Sequence, residues 1–132
     1  MSVRQATCQC GALTATCEGE PVRVSVCHCF ACQKRSGGPF AAQARFPATQ
    51  VVLKGDSRQW DRRGDEGSLC KHHFCSACGS TLWYSLDTQP DVLAIPVGAF
   101  ADLSFPPPQF SVYEDRQHPW VRLVGEGIEH YD

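Results

Sequence analysis

The chain has 132 residues, of which 42% are hydrophobic and 20% are charged, and its formal net charge is −2 at pH 7. This length and composition predict one domain over residues 1–132 with its own core, and no apolar run approaches the roughly 20 residues of a membrane-spanning helix. The slightly acidic balance is not that of a nucleic-acid-binding protein.

The apolar residues recur mostly with the period of β-strands. Several short runs alternate with polar residues or are rich in strand-forming residues, and glycine or proline bounds them. In the run at residues 92–97, Pro96 predicts a sheet edge or a bulge, because proline cannot donate a hydrogen bond to a neighbouring strand. Strands are predicted at residues 22–26, 40–46, 51–53, 81–84 and 92–97.

Only one short helix is predicted, around residues 30–35, and the Gly-Gly-Pro run at 37–39 stops it. The proline-rich stretch at residues 105–108 indicates a loop or a polyproline segment. A final strand is predicted at residues 120–123. These elements together predict a mainly β domain.

Seven of the nine cysteines fall into three tight clusters, here called the CxC, CHCxxC and CxxC clusters. The odd number of cysteines favours metal binding over disulfides. The first residues do not resemble a signal peptide, so we expect a cytoplasmic protein with reduced cysteines. Cysteines one or two residues apart are also well placed to hold one tetrahedral ion. The clusters are Cys8 and Cys10; Cys27, Cys29 and Cys32; and Cys75 and Cys78.

Seven sulfurs suffice for one closed site with four ligands and one site with three ligands and an open position. The spacing leaves two pairings open. The CxxC cluster can join Cys29 and Cys32, or it can join the CxC cluster and leave CHCxxC as a separate triplet. Loop-closure entropy does not choose between them, because it grows only logarithmically with loop length. The glycines directly after Cys10 and Cys78 favour the second pairing, since a chain turning sharply around bound sulfur needs glycine.

Three motifs follow one another in a fixed order: CxCG at residues 8–11, CHCxxC at 27–32 with a following Ser-Gly-Gly-Pro-Phe run, and CxxCG at 75–79. This ordered pattern resembles the glutathione-dependent formaldehyde-activating enzyme family. That family also includes centromere-protein-V-like domains. The resemblance implies a mainly β, Mss4-like β-tent of antiparallel sheets with short helical turns, stapled by two zinc ions. It implies a structural zinc on Cys8, Cys10, Cys75 and Cys78, and a catalytic zinc on Cys27, Cys29 and Cys32.

The resemblance further implies carbon–sulfur lyase activity on an aldehyde adduct of glutathione or a similar thiol, such as S-hydroxymethylglutathione, with glutathione as co-substrate. Three thiolates leave zinc a weak Lewis acid, so the open position suits a thiol better than an activated water. The expected partners are therefore a small-molecule thiol and an aldehyde. We expect no nucleic-acid partner and no membrane, and a monomer or small homo-oligomer. A zinc deaminase is excluded because no His-x-Glu element precedes a Pro-Cys-x-x-Cys element.

The alternative function is a non-enzymatic zinc-binding module with two structural ions and a protein or other partner. The coordination of the CHCxxC cysteines separates the two possibilities. A fourth protein ligand there would favour the binding module, whereas an outside thiol or water would favour the enzyme.

Four residues after the CHCxxC cluster are candidates for binding the anionic glutathione. Lys34 and Arg35 carry positive charge at the end of the predicted helix, and Gly37 and Gly38 can expose backbone N–H groups to a carboxylate. The competing interpretation is that the two charged side chains are solvated and the two glycines only end the helix.

The remaining histidines and cysteines are assigned from their neighbours and strand parity. His28 lies between two predicted ligands and is expected to line a pocket, because adjacent residues seldom reach the same ion. His72 and His73 are expected at exposed strand positions. Cys17 and Cys70 share strand parity with apolar residues and are expected to be buried.

Overall fold

The computed structural model describes residues 2–132, which form eleven β-strands and one α-helix, with three short 3-10 helices between them. The strands are β1 (Val3–Thr7), β2 (Thr14–Glu18), β3 (Arg23–Cys27), β4 (Ala41–Pro47), β5 (Val51–Lys54), β6 (Ser57–Arg63), β7 (Leu69–Cys75), β8 (Thr81–Leu86), β9 (Gln89–Pro96), β10 (Phe110–Val112) and β11 (Glu129–His130). The helix α1 is Phe30–Ser36, and the 3-10 helices are Ala48–Gln50, Val97–Phe100 and Glu114–Arg116. The predicted mainly β fold is confirmed.

The strands form two sheets. A three-stranded antiparallel sheet has the order β1-β2-β5, and an eight-stranded sheet has the order β11-β10-β3-β4-β9-β8-β7-β6. The larger sheet is mixed, because β10 runs parallel to both β3 and β11. A long connection after β9 brings the chain back beside β3 in the same direction, and Gln109 N–H donates to the Val24 carbonyl at 2.8 Å where the strands meet.

The eight-stranded sheet has two different faces, because successive side chains of a strand point to opposite sides. On one face its apolar side chains pack with those of the three-stranded sheet into a single buried core. The other face carries polar and aromatic side chains. The core includes Ala15 and Cys17 of β2, with Val24, Ala44, Phe46 and Ile95 of the larger sheet.

Most predicted strands are present with shifted ends, but the strand predicted at residues 120–123 is wrong. In that segment Val121 N–H donates to the His118 carbonyl at 3.0 Å, which forms a turn. Only Val121 of its apolar residues is buried, since Trp120 is 72% exposed. The short apolar run therefore fills one core position and does not pair with a sheet.

The placement of Pro96 also differs from the prediction. Its strand β9 lies inside the larger sheet between β4 and β8, so it is not an edge strand. Pro96 is its last residue, opposite Gln43. A proline is accommodated there because the strand ends and the 3-10 helix Val97–Phe100 begins.

The helical segments within residues 2–132 are short. The longest is α1 with seven residues, and none has the length and apolar character needed to cross a bilayer.

We expect Gly55→Ala to destabilise the protein more than Gly67→Ala. Both glycines have positive φ, 104° and 90°, which costs an alanine about 1–2 kcal/mol. Around Gly67 there is open space, whereas a Cβ at Gly55 would overlap the Ala12 carbonyl oxygen in the loop after Cys10. Urea titration would measure both free energies of unfolding, and equal losses would contradict a close approach at Gly55.

Candidate metal centres and the adjoining cleft

The sulfur atoms of the CxC and CxxC clusters come together. The Sγ atoms of these four cysteines lie within 4.8 Å of one another, with 3.7 Å between Cys8 and Cys10 and 3.6 Å between Cys10 and Cys75. Four sulfurs about 2.3 Å from a tetrahedral zinc ion would be about 3.8 Å apart. The group of Cys8, Cys10, Cys75 and Cys78 therefore fits one tetrahedral ion.

Two similar backbone turns present these sulfurs. After Cys8, Gly11 has φ 82° and its N–H donates to the Cys8 carbonyl; after Cys75, Gly79 has φ 79° and its N–H donates to the Cys75 carbonyl. The N–H of Leu13 also donates to Cys8 Sγ at 3.2 Å. Donors aimed at sulfur stabilise the thiolate, which is the form that binds a metal ion.

The CHCxxC cysteines form a second, separate group. The Sγ atoms of Cys27, Cys29 and Cys32 lie within 4.8 Å of one another, and no fourth His, Cys, Asp or Glu of residues 2–132 joins them. Cys27 ends β3, Cys29 is the N-cap of α1, and Cys32 lies in its first turn. The Cys32 N–H donates to Cys29 Sγ at 3.4 Å. Three protein ligands are thus available to an ion here.

The electrostatics of this trio favour a thiolate. The neighbouring side chains of Cys27 and Cys32 lower the pKa of Cys29 to about 2. The proximity of Cys29 in turn raises the pKa of Cys27. The Arg35 guanidinium adds positive charge, with Nη2 3.7 Å from Cys32 Sγ.

An open cleft of about 810 Å³ adjoins the trio, and Cys29 and Cys32 line it. Its floor is the face of the eight-stranded sheet turned away from the core. Directly opposite residues on neighbouring strands share a face. One row of such residues crosses the floor, in the order Trp60, His72, Tyr84, Ala94 and Arg45.

Four cationic side chains line the cleft, and no acidic side chain is among the lining residues within 2–132. Two of them, Lys34 and Arg35, are sequence-predicted candidates, and Arg45 and Arg62 join them from β4 and β6. Arg62 forms a long ion pair with Asp65, with 3.7 Å between the nearest nitrogen and oxygen, and the Asp65 side chain is 74% exposed. The positive charge of Arg62 is therefore little neutralised. The cleft therefore suits an anionic ligand.

The structure does not bring Gly37 and Gly38 to this cleft. Gly37 ends α1 with φ 73°, and its N–H donates to the Gln33 carbonyl at 2.9 Å. The Gly38 N–H donates to Ser36 Oγ at 3.1 Å. Both backbone donors are thus used within the turn that ends the helix.

His28 lies beside the trio without joining it. The side chain is fully buried, and Nε2 is 3.0 Å from Ser111 Oγ. The ring also packs against Phe40, with 5.8 Å between ring centroids. His28 therefore supports the wall behind the cluster.

The two neighbouring histidines of β7 lie on opposite faces of the sheet. His72 was expected to be exposed, but it is only 9% exposed and sits between the rings of Trp60 and Tyr84 in the cleft floor. Burial, followed by the positive charges of Arg35 and Arg62, lowers the pKa of His72 to about 4. His73 stacks on Trp83 at 4.5 Å on the core side. His72 is therefore a neutral part of the cleft.

Several cleft residues were not identified from the sequence. Cys17 is fully buried as expected, but Cys70 is half-buried and lines the cleft. Tyr113 also lines it and has φ 57°, a left-handed conformation that is uncommon for tyrosine. Pairing Arg62 with Cys70 across the β6–β7 hairpin would have indicated a shared face. The missed lining residues include Arg45, Arg62, Cys70, Tyr84 and Tyr113.

Comparison with known proteins agrees with this architecture. The family model described as "Glutathione-dependent formaldehyde-activating enzyme" matches residues 3–116. A Halomonas elongata protein named "Putative glutathione-dependent formaldehyde-activating enzyme" is 26% identical over 125 residues, which cover 90% of this chain and 80% of that protein. A crystal structure of a Rhodobacter sphaeroides protein has a similar fold, with a TM-score of 0.58 and 20% identity, and the match covers 76% of this chain and 90% of that chain. The chain therefore belongs to the glutathione-dependent formaldehyde-activating enzyme family.

Proposed function

We propose that this protein is a zinc-dependent carbon–sulfur lyase that forms and cleaves S-hydroxymethylglutathione. The observation that carries the proposal is a trio of cysteine sulfurs without a fourth protein ligand among residues 2–132, at the side of a cationic cleft. Membership of the family supports glutathione and formaldehyde as the reactants.

The residues present fit one structural and one catalytic zinc ion. The all-sulfur donor sets suit zinc, and the sulfur–sulfur distances in the four-cysteine cluster match a tetrahedral ion. That cluster would tie the β1–β2 loop to the β7–β8 turn. At the trio, a bound zinc ion would supply an open coordination position that holds the cysteinyl sulfur of glutathione as a thiolate.

The chain itself orients and charges the reacting groups. Helix α1 presents Cys29 and Cys32 to the cleft from its first turn. Arg35 lies between the trio and the floor, with its guanidinium 5.0 Å from the centre of the Tyr84 ring. In the addition direction, the thiol sulfur attacks the aldehyde carbon and the oxygen takes up a proton; cleavage reverses both steps.

The cationic side chains provide binding energy for the carboxylates of glutathione. Lys34 and Arg35 lie near the trio, and Arg45 and Arg62 lie along the floor. Such an arrangement binds the two ends of the tripeptide while its thiol reaches the cysteine cluster. Arginine suits this role because its planar group can bind a carboxylate through two hydrogen bonds.

The alternative of a non-enzymatic zinc module is less well supported. A structural site is closed by four protein ligands, whereas no fourth His, Cys, Asp or Glu of residues 2–132 joins the trio. All nine cysteines are unbridged, which supports the proposed reducing, cytoplasmic setting. We further propose that the protein acts as a monomer or small homo-oligomer.

Replacing Cys29 by alanine should lower the bound zinc from two ions per chain to one and abolish the acceleration of S-hydroxymethylglutathione formation. The reason is that the two remaining sulfurs of the trio are too few to hold the catalytic ion. Native mass spectrometry would give the stoichiometry, and NMR exchange spectroscopy the rate. Cys17→Ala is the matched control, because Cys17 lies in the core outside both clusters and should keep both properties. A Cys29→Ala protein as fast as the wild type would refute the proposed function.

Replacing Arg62 by glutamine should weaken glutathione binding about five- to tenfold, since a lost charge contact is worth about 1 kcal/mol. Binding of the neutral thiol 2-mercaptoethanol should not change. Calorimetric titration of the zinc-loaded protein measures both affinities. Arg63→Gln is the control on the same strand, because Arg63 belongs to the opposite face and donates to the Gly67 carbonyl. Equal losses for the two thiols would contradict carboxylate recognition.

A further inference from the structure

We propose that Tyr84 is a catalytic residue that donates its phenolic proton to the aldehyde oxygen as the carbon–sulfur bond forms. This inference rests on the proposed function and deepens it, because family membership and the cysteine clusters leave the proton donor unassigned. Tyr84 is in the middle of the cleft floor, between His72 and Ala94.

Tyr84 lines the same cleft as Cys29 and Cys32 of the trio. Arg35 contacts both sides, because Nη2 is 3.7 Å from Cys32 Sγ and the guanidinium carbon is 5.0 Å from the Tyr84 ring centre. The Arg35 guanidinium thus contacts both the ring and the sulfur cluster. An aldehyde that binds in the cleft between the sulfur and the ring would meet both groups.

The phenolic oxygen of Tyr84 lies beside an arginine that a second hydrogen bond holds in place. Arg45 Nη2 donates to Tyr84 Oη at 3.5 Å, while Arg45 Nη1 donates to Ser25 Oγ at 3.2 Å and so fixes the guanidinium. The Tyr84 oxygen therefore acts as an acceptor toward Arg45, and its own O–H can point into the cleft. Positive charge at the oxygen also stabilises the phenolate that remains after proton transfer.

The protonation state of Tyr84 agrees with this role. Burial raises the pKa of Tyr84 to about 12, and the charges of Arg45 and Arg35 oppose that rise. The phenol thus stays protonated at neutral pH and can donate to an oxygen that is becoming an alkoxide. A hydrogen-bond donor placed where negative charge develops lowers the barrier of the step.

Addition forms one carbon–sulfur bond and places one proton on the aldehyde oxygen. The thiol proton of glutathione is released to solvent on binding, and the sulfur lone pair forms the carbon–sulfur bond. The carbonyl π electrons move to oxygen, which takes the proton of Tyr84. The phenolate then regains a proton from solvent. Cleavage follows the same path backwards, with the phenolate accepting the hydroxyl proton while the carbon–sulfur bond breaks.

Two other cleft residues are weaker candidates for the same role. His72 is neutral and faces the positive charges of Arg35 and Arg62, which oppose its protonation. Tyr113 lines the cleft, but its cationic neighbour Arg116 lies over the ring, 5.3 Å from the centroid. Among these three residues, only Tyr84 accepts a hydrogen bond from an arginine within residues 2–132.

The test compares Tyr84→Phe with wild type in S-hydroxymethylglutathione formation and cleavage by the zinc-loaded protein. Phenylalanine removes only the hydroxyl group and keeps the ring against Arg35 and His72. We expect both rates to fall about 100-fold, the usual effect of losing a proton donor or oxyanion contact. Glutathione affinity and zinc content should stay unchanged. Tyr131→Phe is the control outside the cleft, since Tyr131 donates to Glu129, and it should keep the wild-type rates.

Three results would overturn the assignment. Tyr84→Phe could retain at least half of the wild-type rate, it could lose zinc or glutathione binding together with the rate, or the large loss could occur in Tyr113→Phe instead. In each of these the wild type still accelerates the reaction, so the proposed function stands. A wild-type protein without acceleration would remove the proposed function and the role of Tyr84 together.

Discussion

The four-sulfur cluster of Cys8, Cys10, Cys75 and Cys78 is the contact on which the rest of the architecture depends. It joins the loop after β1, in the small sheet, to the turn after β7, in the large sheet. Cys8 and Cys75 are also members of the apolar core. The cluster therefore sets the distance between the sheets at one end and the position of β7, whose other face forms part of the cleft floor.

The two-residue period of β-structure then separates stability from chemistry. On β4, Ala44 and Phe46 face the core, whereas Arg45 between them faces the cleft. On β7 the same alternation sends His73 to the core side and His72 to the cleft. A single sheet thus supplies a packed face and a charged, aromatic face, and the trio of cysteines lies at the side of the second.

Local patterns predicted the cysteine clusters, the one helix and strands β3, β4, β5, β8 and β9, because ligand spacing and strand alternation are properties of neighbouring residues. The predicted positions of His72, Pro96 and residues 120–123 were wrong because they depend on partners far along the chain. Strand β6 is almost entirely polar, so it carries no apolar alternation to predict it. The contributions of Arg45, Arg62 and Tyr84 to the cleft follow only from the register of several strands.

Strand β6 ends the large sheet and pairs with β7 alone, yet it supplies Trp60 and Arg62 to the cleft. Its side chains are mostly exposed, so substitutions there leave the packing of the core undisturbed. During evolution the exposed side chains of this strand can change in charge and size with little effect on the core. The choice of ligand can therefore diverge among descendants of this protein while the cysteine clusters and the sheet beneath them stay the same.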